Sequence, residues 1–473
     1  MKKFTLSNTK TVSLKKRTMT KTLFNDFDKV SAKEWKQKIQ FDLKGADYNE
    51  ALIYKSYEGI DVKPFYNEED ITPNQKNVNH PSTWKNSQKI EVKDATTGNN
   101  AALTAIKKGA ESLYFIITNE NINPATLLSN ISPNVFVFIE TLFLSTDYAN
   151  KLNNHVLTSK LSIHLLTDII GNLGKTGNWY DSLKDDHNKL ESIVSENPDL
   201  KSSITVDLSI LQNAGATMIQ QLAYGMAHVN EYLNYFESKK DNPFIKTPVI
   251  FKVAIGGNYF FEIAKLRALR ILWDSLSEEY NMLKKCYIFA HPSHRNKTIL
   301  DYNVNMLRTT TECMSAVLGG ADIIHNVRYD DIYNLENDFG TRIAINQLLI
   351  LKNESYFDIV NNPSSGSYYI ESLTNQLADK ALSLFKNIEE SGGYLKQLKA
   401  GTIQKKIKES ADKEQELFDK EEIILTGANT YKNPEEVIPP LQKSLFKEKN
   451  IRKTLINPII TRRLCEKTEK NYV

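Results

Sequence analysis

The sequence predicts an α/β protein built on a closed (β/α)8 TIM barrel, with an N-terminal arm before the barrel and a helical extension after it. From about residue 105, short runs of β-branched and aromatic residues alternate with longer helical stretches. The runs lack strict apolar–polar alternation, which is typical of parallel strands covered on both faces. Eight such runs occur, the number that a closed barrel requires. A doubly wound open sheet is the alternative architecture.

Four segments follow from this pattern: a leader at 1–23, an arm at 24–104, the barrel at 105–400 and a C-terminal extension at 401–473. The predicted strands are 113–117, 135–139, 163–168, 204–208, 249–255, 286–291, 321–325 and a weaker run at 357–360. The most distinct helix covers 258–280, where Phe261, Ala264 and Ala268 begin one apolar stripe.

The leader is basic. The first 25 residues contain seven lysines or arginines and no acidic residue. A secretory signal is excluded because no apolar stretch of the required length is present. A transit peptide, a basic interaction arm and a wrongly included upstream start remain as interpretations. We favour a disordered leader, with Met19 as a candidate true start.

The arm carries apolar residues at helical intervals, among them Phe27, Val30, Trp35 and Ile39, and Ser31 is a suitable N-cap. Short segments punctuated by turns follow, up to residue 66. This is too little sequence to bury a core of its own. We therefore expect the arm to pack against a partner surface.

The C-terminal extension begins with a charged helix at 402–420, which is followed by a turn at 427–431. Pro439-Pro440 and the lysine-rich segment 443–453 resemble a linker. The pattern of alternating strands and helices does not continue here.

Composition limits the possible function. A hydrophobic fraction of 41% with 25% charged residues is typical of a globular protein with a large core. No apolar run approaches the ~18 residues of a membrane span, and a net charge of +3 does not indicate nucleic-acid binding. The sequence has three cysteines, at Cys286, Cys313 and Cys465. An odd number of cysteines with no close pair argues against a disulfide framework. We expect a cytoplasmic protein.

Candidate chemistry lies at the predicted strand ends. His291 and His294 follow the sixth strand and His325 closes the seventh, so all three should lie on the catalytic face of a barrel. No carboxylate or cysteine lies at a sequence spacing from these histidines that is typical of metal ligands, so the indication of a metal site is weak. The turn Gly256-Gly257-Asn258 could bind an anion at the following helix or could simply close a tight turn. Neither observation identifies a catalytic group.

A possible phosphate loop at Gly171-Asn-Leu-Gly174-Lys175-Thr176 fails because Ile169 stands where the motif needs glycine. A turn-forming loop after the third strand is the preferred interpretation. Cys286 and Cys313 are expected to pack as small apolar side chains, since no basic neighbours would lower the pKa of either thiol.

Several segments carry a family resemblance. Phe24-Asn-Asp-Phe27 with Trp35, Asp42-Leu-Lys-Gly45 and 58–66 resembles the start of small subunits in the methylmalonyl-CoA mutase family. The helix at 258–273 is similar to the most recognisable helix of that family. Further similar segments follow in the same order at 338–346, 363–371 and Gly392-Gly393.

The resemblance implies a cobalamin-dependent radical rearrangement of methylmalonyl-CoA and succinyl-CoA. In the family, the catalytic chains hold the acyl-CoA through the barrel and the cobalt through a C-terminal α/β domain. The cofactor supplies the radical chemistry, and the protein positions and shields it.

This sequence departs from the catalytic pattern. Ile210 stands where the catalytic chains carry a substrate-binding histidine, in the stretch 207–216, and an aliphatic side chain can neither donate a hydrogen bond nor exchange a proton. The stretch Trp84–Ile90 lacks the tyrosine and arginine of the substrate loop. His291 is retained.

The cobalt-ligand motif Asp-x-His-x-x-Gly is not matched either. Among the histidines of the sequence, only His187 has an aspartate two residues before it, as in Asp185-Asp186-His187. Leu190 stands where the motif needs glycine. The sequence also ends near a segment, 462–464, that resembles the entrance to the cobalamin-binding flavodoxin-like domain, so we expect no such domain here.

The resemblance therefore implies a small, non-catalytic subunit that forms a heterodimer with a large catalytic mutase subunit and stabilises it. We expect no catalytic, cofactor-binding or metal-binding residue on this chain, which would be part of an isomerase but inactive alone. Adenosylcobalamin would be bound by the partner subunit. Two alternatives stay open: a barrel enzyme or acyl-CoA-binding protein that uses the rim histidines, and an assembly factor for the mutase.

Overall fold

The computed structural model describes residues 26–71, 80–81, 83–239, 242–446 and 452–472. The predicted leader at 1–23, with Met19, lies outside the described residues. Eight strands form the central sheet: β1 Lys85–Val92, β2 Ser112–Ile117, β3 Phe136–Thr141, β4 Ser162–Leu165, β5 Thr205–Asp207, β6 Val249–Ile255, β7 Cys286–Pro292 and β8 Ile323–His325.

The α-helices are α1 Ala32–Asp42, α2 Tyr48–Leu52, α3 Ala95–Lys107, α4 Pro124–Leu127, α5 Thr146–Ser159, α6 Ile169–Thr176, α7 Leu183–Glu196, α8 Ser209–Ala214, α9 Met218–Glu237, α10 Tyr259–Glu279, α11 Val304–Leu318, α12 Asp338–Leu349, α13 Tyr368–Glu390, α14 Tyr394–Lys399, α15 Thr402–Asp419 and α16 Glu466–Glu469. Short 3-10 helices span Glu68–Asp70 and Pro243–Lys246, and a π-helical turn spans Ile350–Glu354. None of the helices in the described ranges has the length and apolar character needed to cross a membrane.

The sheet is a closed parallel barrel. Its order is β4-β3-β2-β1-β8-β7-β6-β5, and every neighbouring pair is parallel. A parallel bridge between His164 and Ser202 closes the gap between β4 and β5. The Thr205 amide also donates to the Thr167 carbonyl at 2.9 Å across this seam. The predicted (β/α)8 fold is confirmed.

Two strand predictions are wrong. The barrel begins with β1, before the predicted boundary at residue 105, so the segment 24–104 contains the first strand and helix α3 as well as the arm. The apolar pattern does not reveal this strand because its buried Asn86 is polar. The Asn86 side chain accepts from the Glu111 amide at 2.7 Å and donates to the Gly109 carbonyl at 3.1 Å. The predicted eighth strand at 357–360 is a turn whose Ile359 and Val360 are exposed.

The Gly171–Thr176 segment is also different from the prediction. It forms helix α6 rather than a loop, because the Asp168 carboxylate caps the helix by accepting from the Gly171 amide at 2.7 Å. The helix ends at Gly177, whose φ of 81° is left-handed and favours glycine.

Large side chains fill the interior of the barrel. Phe138, Ile250 and Phe289 are fully buried there and pack with Tyr114, Leu166 and Ile323. The larger core lies between the strands and the surrounding helices, where the predicted long helix α10 buries its apolar stripe and Trp273. This arrangement is a packed barrel interior.

The arm has two unlike parts. Helix α1 begins at a capping box formed by Ser31 and Glu34 and buries no residue. After α2, two short antiparallel strands, Tyr54–Lys55 and Asp61–Val62, bring the chain onto the barrel, where Ile60 is 1% exposed. The second part of the arm is thus docked, and α1 projects.

The last described segment, 452–472, runs along the carboxyl ends of the barrel strands. The Ile459 amide donates to the Gly174 carbonyl at 2.8 Å, and the Leu464 amide donates to the Arg295 carbonyl at 2.9 Å. Glu469 is fully buried and accepts from the Thr298 hydroxyl at 2.9 Å. These contacts attach the C-terminal extension to the loops that follow β4 and β7.

Candidate functional site

The rim at the carboxyl ends of the strands holds the three predicted histidines. His291 ends β7 with its Nδ1 3.0 Å from the Pro292 carbonyl, and His325 ends β8 with its Nδ1 3.3 Å from the Ser87 carbonyl. His294 Nε2 lies 2.9 Å from Asp331 Oδ2. The predicted location on the rim is therefore correct, and each histidine has its own partner.

The protonation of these groups follows from burial. Burial, with the nearby charge of Lys252, lowers the pKa of His291 to about 4. Burial, with the charge of Lys89, lowers the pKa of His325 to about 3. Burial also opposes ionisation of Asp331, but the hydrogen bond and charge of His294 outweigh it and hold the pKa of that carboxyl well below its usual value. His291 and His325 are accordingly neutral at pH 7.

A charged cluster inside the barrel was not anticipated from the sequence. Lys252 Nζ on β6 lies 2.7 Å from Glu140 Oε2 on β3, 3.0 Å from the Tyr114 hydroxyl on β2 and 3.4 Å from Asp207 Oδ2 on β5. The Tyr114 hydroxyl also donates to Glu140. All four side chains point into the mouth of the barrel.

The cluster is strongly coupled electrostatically. Burial favours the neutral amine of Lys252, but the carboxylates of Asp207 and Glu140 outweigh it and hold the pKa of Lys252 well above its usual value. Burial likewise opposes ionisation of Glu140 and Asp207, yet the charge of Lys252 leaves the pKa of each carboxyl lowered. Lys252 is thus a protonated ion-pair partner, and a protonated amine is not a nucleophile.

One sequence signal could have found the cluster. Lys252 is the only charged residue in the otherwise apolar strand Val249–Ile255. A lysine inside a barrel strand needs a counter-charge, because an unpaired buried charge is too costly. The identity of that counter-charge depends on strands distant in sequence and could not be predicted.

The positions at which the family's catalytic groups were expected have unreactive or paired side chains. Ile210 lies on α8, directly after β5, and packs partly buried against the core. The stretch Trp84–Ile90 lies on and just before β1, where Lys89 pairs with Glu91 at 2.8 Å.

The predicted anion site at the turn before α10 is already occupied. Gly256 donates its amide to Glu262 Oε1 at 2.7 Å. A carboxylate of the protein itself therefore occupies the amide that an external anion would need.

The residues present do not fit a cobalt ligand site. His187, the candidate with a preceding aspartate, lies on α7 with its Nδ1 2.7 Å from the Leu183 carbonyl. Its ring is buried against Trp179 and Tyr235. Across the described ranges, no three His, Cys, Asp or Glu side chains converge in a way that could hold a metal ion.

Proteins of similar sequence point to one family. The family model for methylmalonyl-CoA mutase matches residues 137–470. The methylmalonyl-CoA mutase small subunit of Porphyromonas gingivalis is 32% identical over 88% of this chain and 72% of that protein. The corresponding small subunit of Streptomyces virginiae is 28% identical over 77% of this chain and 63% of that protein.

A large subunit is also similar. The methylmalonyl-CoA mutase large subunit of Porphyromonas gingivalis is 32% identical over 51% of this chain, a match that spans 34% of that protein. The similarity to small subunits therefore covers more of this chain than the similarity to that large subunit does. With the barrel, its strand order and these matches together, the chain belongs to the methylmalonyl-CoA mutase family.

Proposed function

We propose that this chain is a small, non-catalytic subunit of an adenosylcobalamin-dependent methylmalonyl-CoA mutase. It forms a heterodimer with a large catalytic subunit, stabilises that subunit and is inactive alone. The observation that carries the proposal is the mouth of the barrel, where Ile210 stands at the expected histidine position and Lys252 is neutralised by Glu140 and Asp207.

The physical argument is that, although His291 is retained, the mouth lacks the histidine that would bind the substrate carbonyl. Ile210 offers no hydrogen-bond donor to a substrate carbonyl. Tyr114, Phe138 and Phe289 occupy the interior that an acyl-CoA would have to enter. The adenosylcobalamin would be held by the partner subunit, because His187 of this chain is buried and hydrogen-bonded within its own helix.

The arm supports the proposed heterodimer. Trp35 and Phe41 are 50% and 80% exposed on α1. Clusters of large exposed apolar side chains are typical of interaction surfaces, because leaving them in water is unfavourable. The large subunit is the partner that would cover them.

The test is co-expression of this chain with a mutase large subunit. We expect a 1:1 complex in gel filtration with light scattering, and a higher melting temperature for the large subunit in the complex than alone. This chain alone, mixed with adenosylcobalamin and methylmalonyl-CoA, should form no succinyl-CoA. Turnover by the chain alone would overturn the proposal, and failure to form a stable complex would favour an assembly factor.

An acyl-CoA-binding role is the second candidate. It is favoured by His294 and Asp331, a rim pair whose side chains remain 35% and 25% exposed. Calorimetric titration of the chain alone with a CoA ester distinguishes the two candidates, since micromolar or tighter binding would support the second.

A further inference from the structure

A row of aromatic side chains leads from the arm to the barrel helices. The rings of Trp35 on α1 and Phe65 in the docked part of the arm meet edge to face, with centroids 6.1 Å apart. Tyr66, the next residue, contacts Tyr369 on α13 at a centroid distance of 5.2 Å. Tyr369 in turn contacts Phe260 on α10 at 5.6 Å. These five side chains, which we call the aromatic row, connect three helices that are far apart in the sequence.

The aromatic row is exposed at both ends. Trp35 is 50% exposed at the arm end, and Phe260 is 47% exposed at the barrel end. Phe260 is exceptional in its helix, because every other large apolar side chain of α10 is buried or half-buried. The start of α10 therefore presents one aromatic ring to solvent in continuity with the arm.

Two further aromatic side chains widen this surface. Tyr54, on the first short strand of the arm, is 61% exposed. Burial raises the pKa of Tyr369, and the hydroxyls of Tyr66 and Tyr54 add to the effect, which places Tyr54 near the aromatic row. Tyr368, at the start of α13, is 41% exposed. The arm and the two barrel helices thus share one aromatic surface.

This surface is held in place from both sides. Arg267 Nη2 on α10 lies 2.5 Å from Glu371 Oε1 on α13, and both side chains are buried, so the two barrel helices are fixed to each other near the start of α13. On the arm side, the Tyr57 hydroxyl donates to the Ser410 carbonyl on α15, and Ile60 is buried. A surface that is already ordered loses little conformational entropy when a partner binds. The aromatic row is therefore suited to form an interface.

Helix α1 alone is too small to hold a large partner. It has 11 residues and is therefore about 16 Å long, and a helix with its side chains is about 10 Å across. A stable interface between two proteins buries about 800 Å² on each partner. One face of α1 supplies a fraction of that area, so a stable complex needs further surface next to α1. The aromatic row supplies such a surface, because it begins on α1 at Trp35.

We propose that the large subunit contacts the aromatic row as well as α1, so that the interface continues from the arm onto the first turns of α10 and α13. The proposal rests on the proposed heterodimer and deepens it, because it adds two barrel helices to the contact surface of the arm. The partner surface that fits is apolar and poor in charged groups, since the row presents aromatic rings. Phe260 and Tyr54 become buried in the complex.

Hydroxyl-radical footprinting of the unmodified chain, free and in complex with the large subunit, tests the contact directly. The oxidation rates of Phe260 and Tyr54 should fall by about threefold or more in the complex, because both side chains lose contact with solvent. Leu283, which is 42% exposed and lies beyond the opposite end of α10, is the matched control and should be oxidised equally in both states. Unchanged rates at Phe260 and Tyr54 in the complex would overturn the proposal.

Phe260→Ser tests whether the contact contributes to affinity. Loss of a buried aromatic anchor should lower the affinity for the large subunit by about tenfold or more. Leu283→Ser is the control, exposed to a similar extent, and should bind as the unmodified chain does. Urea unfolding followed by circular dichroism verifies that both variants are folded, and footprinting of the unmodified chain decides if Phe260→Ser is not. Equal affinities for two folded variants would contradict the proposal.

Failure of the heterodimer and failure of the aromatic row are distinguishable. If the unmodified chain forms no complex with the large subunit, the proposed heterodimer is wrong and the contact at the row is wrong with it. If the complex forms and protection is confined to α1, the heterodimer is correct and the row is an internal contact that attaches the arm.

Discussion

Lys252 Nζ lies 2.7 Å from Glu140 Oε2, and this contact joins strands that are not neighbours in the sheet. Since β6 and β3 lie three strands apart around the closed barrel, with β5 and β4 between them, the ion pair spans part of its interior. Asp207 on β5 adds a second carboxylate 3.4 Å from the same nitrogen. The mouth of the barrel therefore holds one lysine between two carboxylates, each of which attracts it.

Replacing Lys252 with methionine should destabilise the fold strongly. Lys252→Met keeps a side chain of similar length but leaves Glu140 and Asp207, which are 18% and 21% exposed, as largely buried carboxylates without their cation. Removing one partner of a buried ion pair costs about 3–5 kcal/mol. Urea denaturation followed by circular dichroism measures the change in the free energy of unfolding.

Lys284→Met is the matched control for that experiment. Lys284 pairs with Glu278 at 3.5 Å, and both side chains are more than half exposed. Exposed pairs contribute about 0–1 kcal/mol, so this variant should unfold almost as the unmodified chain does. A Lys252→Met variant as stable as Lys284→Met would contradict the assignment of a buried, interdependent cluster.

Acid should destabilise the barrel through its buried histidines. His164 packs parallel to Phe138, with ring centroids 4.6 Å apart, and burial lowers its pKa to about 3. The unfolded chain therefore binds this proton near pH 6.5 and the folded chain does not, so stability falls as pH drops from 6.5 toward 3. His164→Phe removes this titratable group. The free energy of unfolding of the variant should therefore fall less steeply with decreasing pH, by up to about 1.4 kcal/mol per pH unit.

The measurement is the free energy of unfolding at pH 6.5, 5.5 and 4.5 for both proteins. Other buried histidines, His291 and His325, still titrate in the variant, so a reduced slope rather than a flat profile is expected. Parallel profiles for the two proteins would mean that His164 is accessible to protons in the folded state.

An element of this structure could be predicted from the sequence where the residues that determine it lie close together in the chain. Seven barrel strands were predictable because a strand covered on both faces is apolar, as in Val249–Ile255. Strand β1 could not be predicted, because its buried Asn86 and Ser87 form hydrogen bonds with polar groups at the start of the neighbouring strand β2. No apolar pattern reveals such a strand. The Lys252 cluster combines residues far apart in sequence, so only the folded chain brings them together.

Restoring histidine at position 210 should not produce a mutase. Ile210→His would supply a donor near the rim, but Tyr114, Phe138 and Phe289 still fill the barrel and Lys252 remains paired. We expect no succinyl-CoA above background when the variant alone is given adenosylcobalamin and methylmalonyl-CoA, measured by chromatography of the CoA esters. Measurable turnover would indicate that the remaining site is more complete than proposed.

The exposed face of the arm should matter for assembly and not for folding. Phe41 lies on α1, where no residue is buried, so Phe41→Ser should leave the melting temperature of the isolated chain unchanged. In a complex, loss of a buried aromatic anchor costs about 2 kcal/mol, so affinity for the large subunit should fall by more than about tenfold. Leu307→Ser is the control, because Leu307 is 67% exposed on α11, outside the arm. Equal affinities for the two variants, measured by surface plasmon resonance with immobilised large subunit, would rule out α1 as the contact surface.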